Sequence, residues 1–172
     1  CNSKTTSWNT SGNGSSVYLD KHNIDCGNSS ILSELSLKTD SKQRIQYAYK
    51  CCPNISKAGV SQRWTGWNSS AQGQNSFLDR HNVSCPTGIL TKVHLQRSKD
   101  LTKFRYAYGC KEIGVKDCTQ HNTGWNSKGV GEKNIYLDRH KIKCPPDKAL
   151  KQFKLVQNKD KIRYNYTCCE PV

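Results

Sequence analysis

The chain has 172 residues, 34% of them hydrophobic, no Met and a formal charge of +14. That length is enough for one domain around one core, and no apolar run approaches membrane-spanning length, which argues against membrane insertion. Ten cysteines point to an oxidising compartment and allow five bridges, while the basic balance favours anionic partners in that compartment over nucleic acid.

Taken in chain order, the predicted elements come in three rows, 1–59, 60–117 and 118–172, of one domain spanning 1–172. The first row opens with Trp8-Asn9, a plausible short strand, followed by the segment Leu19-Asp20-Lys21-His22. Ile24/Cys26 and Leu35/Leu37 then mark two strands, and Ile45, Tyr47, Tyr49 and Cys51 alternate as a third, clearer one. The second row repeats the order: Trp67-Asn68, Leu78-Asp79-Arg80-His81, Val83/Cys85, Val93/Leu95, then Phe104, Tyr106, Tyr108 and Cys110. The third gives Trp125-Asn126, Leu137-Asp138-Arg139-His140, Ile142/Cys144, Phe153/Leu155, then Ile162, Tyr164, Tyr166 and Cys168. No stretch carries an apolar stripe at helical spacing, so the expectation is an all-β domain with three similar antiparallel sheets around one core.

The repeat also orders the cysteines. Cys26–Cys51, Cys85–Cys110 and Cys144–Cys168 occupy matching places and pair within their rows. Each closes a loop that adds on the order of 3 kcal/mol by restricting the unfolded chain. Cys1 and Cys118 each lie seven residues before a Trp, where the middle row has Val60. Cys52 and Cys169 follow the last cysteine of their rows, where the middle row has Lys111. The middle row lacks both positions together, which predicts Cys1–Cys52 and Cys118–Cys169.

The Trp, the Cys, the segment GILTKVHL at 88–95 and the strand ending FRYAYGC at 104–110 are similar to the recurring pieces of the vitelline membrane outer layer protein I family. The resemblance covers nearly the whole chain and implies a β-prism with pseudo-threefold symmetry, stapled by disulfides, in a secreted coat or matrix protein of lectin-like architecture. A β-trefoil is the alternative threefold fold. The family's acidic GDDTA segment is replaced here by SKDLTK and NKDK.

Candidate sites follow from the same rows. Asp20/His22, Asp79/His81 and Asp138/His140, with Arg80 and Arg139 between, would share one face if extended, so each carboxylate could fix its imidazole. Three copies suit scaffolding better than repeated ligand binding, and catalysis least, since an enzyme needs one asymmetric constellation. On that reading Leu19, Leu78 and Leu137 are buried, and Asp79→Ala costs about 1–3 kcal/mol through an unpaired partner. No metal or cofactor is expected; three inward histidines would be the only metal arrangement conceivable.

Trp8, Trp67 and Trp125 recur and read as core plugs, whereas Trp64 has no counterpart and reads as a sugar-stacking candidate. The three rows carry +3, +5 and +6, which makes Lys141, Lys143, Lys151 and Lys154 the candidate contacts for anionic glycans. Asn9, Asn13, Asn28, Asn54, Asn68, Asn82 and Asn165 are glycosylation candidates. The chain begins at Cys1 and reads as a mature secreted form from which a signal peptide has been removed. The resulting expectation is a secreted, extracellular, non-enzymatic structural glycoprotein of a coat, matrix or fibre. Its partners are extracellular glycans or acidic matrix components, with self-assembly. A soluble lectin is the alternative, and a carbohydrate-active enzyme comes third.

Overall fold

The computed structural model describes all 172 residues. It contains fifteen strands: β1 (Asn2–Thr5), β2 (Asn9–Thr10), β3 (Asn23–Asp25), β4 (Ser30–Thr39), β5 (Arg44–Pro53), β6 (Val60–Trp64), β7 (Asn68–Ser69), β8 (Asn82–Ser84), β9 (Ile89–Arg97), β10 (Lys103–Lys111), β11 (Val115–Asn122), β12 (Asn126–Ser127), β13 (Lys141–Lys143), β14 (Ala149–Asn158) and β15 (Lys161–Pro171). They form three antiparallel five-stranded sheets, and helix is limited to six short 3-10 segments. The long central strands of each row form a hairpin: β4 with β5, β9 with β10, β14 with β15. Their inward residues are the alternating Ile, Phe, Leu and Tyr positions, because the pleat sends every second side chain to one face. One apolar cluster of 31 buried residues, drawn from all three rows, joins the sheets.

The third strand of each row does not stay with its row. β3 pairs with β9 of the second row, β8 with β14 of the third, and β13 with β4 of the first. The rows therefore exchange strands in a closed ring. Alternation such as Ile24/Cys26 shows that a strand exists, but not which edge it will find.

A bulge on each receiving strand secures the exchange. The ladders β4/β5, β9/β10 and β14/β15 slip by one residue, leaving Ser33, Thr91 and Lys151 unpaired with their hairpin partners. The freed carbonyls of Thr91, Lys151 and Ser33 accept the backbone N–H of Cys26, Cys85 and Cys144, at 2.8, 3.0 and 3.0 Å. A bulge re-aims the backbone it interrupts, and here it lengthens the grip on an incoming strand of only three residues.

The disulfides are Cys1–Cys52, Cys26–Cys51, Cys85–Cys110, Cys118–Cys169 and Cys144–Cys168, with no free cysteine. These are the pairs the repeat implies. Pairing within a row nevertheless produces links between sheets. Cys85 follows β8, which lies on the third sheet, while Cys110 is in β10 of the second. Cys1–Cys52 and Cys118–Cys169 instead fasten the outer strands β1 and β11 to the ends of β5 and β15.

The middle row replaces that second staple with polar groups. Lys111 is fully buried, and its ammonium donates to the backbone oxygens of Asn28 at 3.0 Å and Asn54 at 3.3 Å. Next to it, the Glu112 carboxylate accepts from the Ser61 and Thr87 hydroxyls and lies 4.0 Å from Arg63. Ser61 and Arg63 belong to β6, so this cluster holds the strand that corresponds to β1 and β11, which are held by disulfides.

At the loops that precede the exchanged strands, the rows interlock again. Asn75 Nδ2 donates to the carbonyls of Lys128 and Lys133, and Asn134 Nδ2 to those of Ser11 and Ser15. Gly73 adopts φ +88 where a Cβ would meet the Ser15 backbone, so the adjoining loops close together only with glycine there.

Replacing Cys85 and Cys110 together by Ala is expected to lower stability by about 3 kcal/mol in denaturant titration. Because the bridge spans two sheets, hydrogen exchange should accelerate first at the amides of β8 and Cys85. Acceleration confined to β10 would contradict the ring of exchanged strands.

Candidate functional site

Each Leu-Asp-Arg/Lys-His segment ends a six-residue 3-10 helix: Ser16–Lys21, Asn75–Arg80 and Asn134–Arg139. The His follows as an extended capping residue whose N–H bonds the Leu carbonyl at 3.1–3.2 Å. The segment is therefore not a strand, and this corrects the expected pairing of Asp with His. The coil turns the two side chains apart, and no Asp of the motif hydrogen-bonds its His. Leu19, Leu78 and Leu137 are each 1% exposed and anchor the turn in the core.

The carboxylates reach the next row instead. Asp20 Oδ2 accepts from Arg97 Nε at 2.7 Å, while its backbone oxygen meets His94 Nε2 at 2.7 Å. Asp138 Oδ2 accepts from Thr39 Oγ1 at 2.8 Å. Asp79 is the exception: Lys154 Nζ donates to its backbone oxygen at 2.6 Å, and its carboxylate has only Arg80 at 4.0 Å. Arg80 and Arg139 lie over the rings of Phe77 and Tyr136, at 4.1 and 4.9 Å from the centroids.

The imidazoles turn inward to their own row. His22, His81 and His140 are 1% exposed, and each Nδ1 is 2.7–2.8 Å from a threonine hydroxyl: Thr6, Thr65 and Thr123. The same hydroxyls accept the N–H of Tyr47, Tyr106 and Tyr164 at 2.9–3.0 Å. With one lone pair taken, the hydroxyl proton is satisfied if it is donated to Nδ1, which places the imidazole proton on Nε2. Nε2 has no polar partner in any row, and edge-on aromatic rings lie beside each imidazole.

Burial holds all three histidines below their usual value of 6.5, His81 at about 4, with Arg80 and Lys154 adding to the depression there. This is a neutral, structural imidazole, poorly placed to accept a proton from solvent. No three His, Cys, Asp or Glu side chains gather at metal-binding range, so the conceivable three-histidine centre does not form.

Tyr47, Tyr106 and Tyr164 line the central cavity, whose volume is about 20 Å³. That is room for about one water, and burial raises all three phenols well above their usual value.

The surface aromatics overturn another expectation. Trp8, Trp67 and Trp125 are 37%, 41% and 37% exposed and are not core plugs. Each covers an arginine of the adjoining central strand: Arg44 at 5.9 Å, Arg105 at 4.2 Å and Arg163 at 4.3 Å from the ring centroid. The interior places are taken by the smaller Leu, Ile and Phe of the hairpins, and the indoles stay outside. Trp64 is 51% exposed, and Arg105 lies between it and Trp67, 5.6 Å from the Trp64 ring. The sequence signal that could have found these sites is the arginine in the alternating strand, on the pleat face opposite the tyrosines.

The lysines proposed as glycan contacts divide. Lys151 Nζ donates to the carbonyls of Cys85 and Pro86, and Lys154 to that of Asp79, so both secure the row exchange. Lys141 lies 3.7 Å from Glu34, and Lys143 is exposed. None of the seven sequon asparagines is buried. No helix is long and apolar enough to cross a membrane.

Comparison of the chain with protein-family models, curated proteins and solved structures finds no match.

Two outcomes follow from this geometry. A neutral-only buried His has its folded pKa depressed, so its contribution to stability is complete above 6.5 and is lost as pH falls. Titrating from pH 6.5 to about 4 should therefore lower the unfolding free energy, by on the order of 3 kcal/mol for His81 alone. His81→Gln should flatten that limb of the stability curve.

Asp79→Ala, whose carboxylate touches only an exposed Arg, should cost less than about 1 kcal/mol. Asp20→Ala, which removes a charged hydrogen bond between rows, should cost about 1–3 kcal/mol. Thermal melts of the two variants check the order.

Proposed function

We propose that the chain is a secreted, non-enzymatic protein of an extracellular coat or matrix, with the β-prism arrangement, that contacts anionic glycans through its surface Trp–Arg stacks. The observation that carries this reading is the repetition of those stacks. Three exposed indoles, each with a guanidinium 4.2–5.9 Å from its ring centroid, recur on three sheets of a chain with a charge of +14; in the first row that guanidinium is Arg44, two residues from the place of Arg105 and Arg163 and paired with Asp40. An indole face suits the C–H face of a sugar ring, and a guanidinium held beside it suits a carboxylate or sulfate. Contacts on three sheets suit bridging between polymers, and this supports a matrix role.

The five disulfides and the accessible sequons support secretion. The inward histidines and outward aspartates give the repeated motif a scaffolding role and separate the groups a hydrolase would need to bring together. A soluble lectin is the second reading, favoured by the unrepeated Trp64.

The test is retention on a long sulfated polysaccharide such as heparin. Wild type should be retained at low salt and released as charges are screened. Trp8→Ala/Trp67→Ala/Trp125→Ala should elute earlier with its melting temperature unchanged, and wild type mixed with the polymer should scatter more light than either alone. Retention that ignores both salt and the triple substitution would overturn the proposal.

A further inference from the structure

The outer face of the second sheet differs from the other two at one place. The pair Ala107/Trp64 in β10 and β6 corresponds to Ala48/Thr5 in the first sheet and to Asn165/Asn122 in the third. The small side chain of Ala107 leaves a hollow of about 260 Å³ on the sheet face, walled by Trp64 and Gln62 on one side and by Lys92, His94 and Gln96 on the other. A second hollow of about 440 Å³ shares His94 and Gln96 and continues to Trp67, Arg97 and Lys99. Arg105 stands between the two indoles, with its Nε fixed by Gln96 Oε1 at 2.9 Å.

We propose that this double hollow is a binding site for an acidic oligosaccharide, with one ring stacked on Trp64, the next toward Trp67, and the acid group on Arg105 and Lys92. The inference deepens the glycan-contact reading and rests on it. The size is within the usual range for ligand sites, about 300–1,000 Å³ for the two hollows together.

The polar groups are pre-set. His94 Nε2 faces the Asp20 carbonyl at 2.7 Å, so that nitrogen is the donor, and Nδ1 is the ring's remaining polar atom for a sugar hydroxyl. Gln62 Nε2 is anchored by the carbonyls of Tyr108 and Arg63, which leaves its carbonyl oxygen as a further acceptor. No carboxylate lines the first hollow, and the one in the second, Asp20, is already paired with Arg97. Charge complementarity therefore selects an anion. The first sheet has the hollow without the indole and lines it with Lys4, Lys38, Lys50 and Lys141 around the Glu34 carboxylate, and the third has Asn165 in place of Ala107.

The experiment is calorimetry of the full chain with short oligosaccharides, which read one site without bridging. The probes are a heparin tetrasaccharide for sulfate, a hyaluronan tetrasaccharide for carboxylate alone, and a neutral chitin tetrasaccharide. At least one acidic probe is expected to bind, and which one it is distinguishes sulfate from carboxylate. Trp64→Ala should weaken it by about tenfold or more, and so should Ala107→Asn, which copies the third sheet into the hollow. Trp8→Ala and Trp125→Ala should change it by less than about threefold, and circular dichroism should show all four variants folded.

Unchanged binding in Trp64→Ala would overturn this site, and loss in Trp8→Ala or Trp125→Ala instead would leave the repeated stacks in place. A neutral probe that binds as tightly as the acidic ones would overturn the assigned chemistry. Polymer retention without any tetrasaccharide binding would also overturn the site, and absence of both would remove the glycan reading itself.

Discussion

The structure depends on one constraint: each row surrenders a three-residue strand to its neighbour. A strand that short gains few ladder bonds and cannot hold its place alone. Three further interactions fix it. The bulge carbonyl of the receiving hairpin takes the N–H of the cysteine that follows. That cysteine is bonded covalently to the donor row. The 3-10 turn ahead of it is anchored by a buried leucine. Because the donations run in a circle, no row is complete without the other two.

The repeated Leu-Asp-Arg/Lys-His segment is the joint at which the chain crosses from its own row's sheet to the sheet of the next. Its parts face different ways for that reason. Leucine enters the common core, histidine binds back to the threonine and tyrosine of the row being left, and aspartate or its carbonyl meets the row being entered. An acid and an imidazole two residues apart invite a catalytic interpretation, yet the 3-10 turn separates them. The imidazoles are kept neutral by burial, which also links folding to pH through the same joint.

The middle row departs from the repeat in two places. It exchanges a disulfide for the buried Lys111 and the Glu112 cluster. A cation satisfied by two carbonyls can end a strand as a staple does, although it is held by desolvated hydrogen bonds and not by a covalent bond. The same row has Trp64 at the position of Thr5 and Asn122. Departure from symmetry is where a threefold scaffold can acquire a single, distinct surface.

The three rows, the all-β character, the hairpin strands and the cysteine pairs are legible in the sequence. Each of these is written as local alternation or as a matching position between rows. Cys1 and Cys52 could be paired because Val60 and Lys111 stand together where the middle row lacks both cysteines. Where β3, β8 and β13 lie depends on the folded whole, since a three-residue strand carries the same period-two pattern whichever sheet accepts it. The fold also sets Asp20 against Arg97 and not His22, because two turns of 3-10 helix leave no apolar stripe to announce them. Recurrence alone does not place the tryptophans: a repeated indole is equally compatible with a core position and with an outer position beside an arginine. The choice fell to the space inside three closely packed sheets, which the leucines, tyrosines and phenylalanines of the hairpins had already filled.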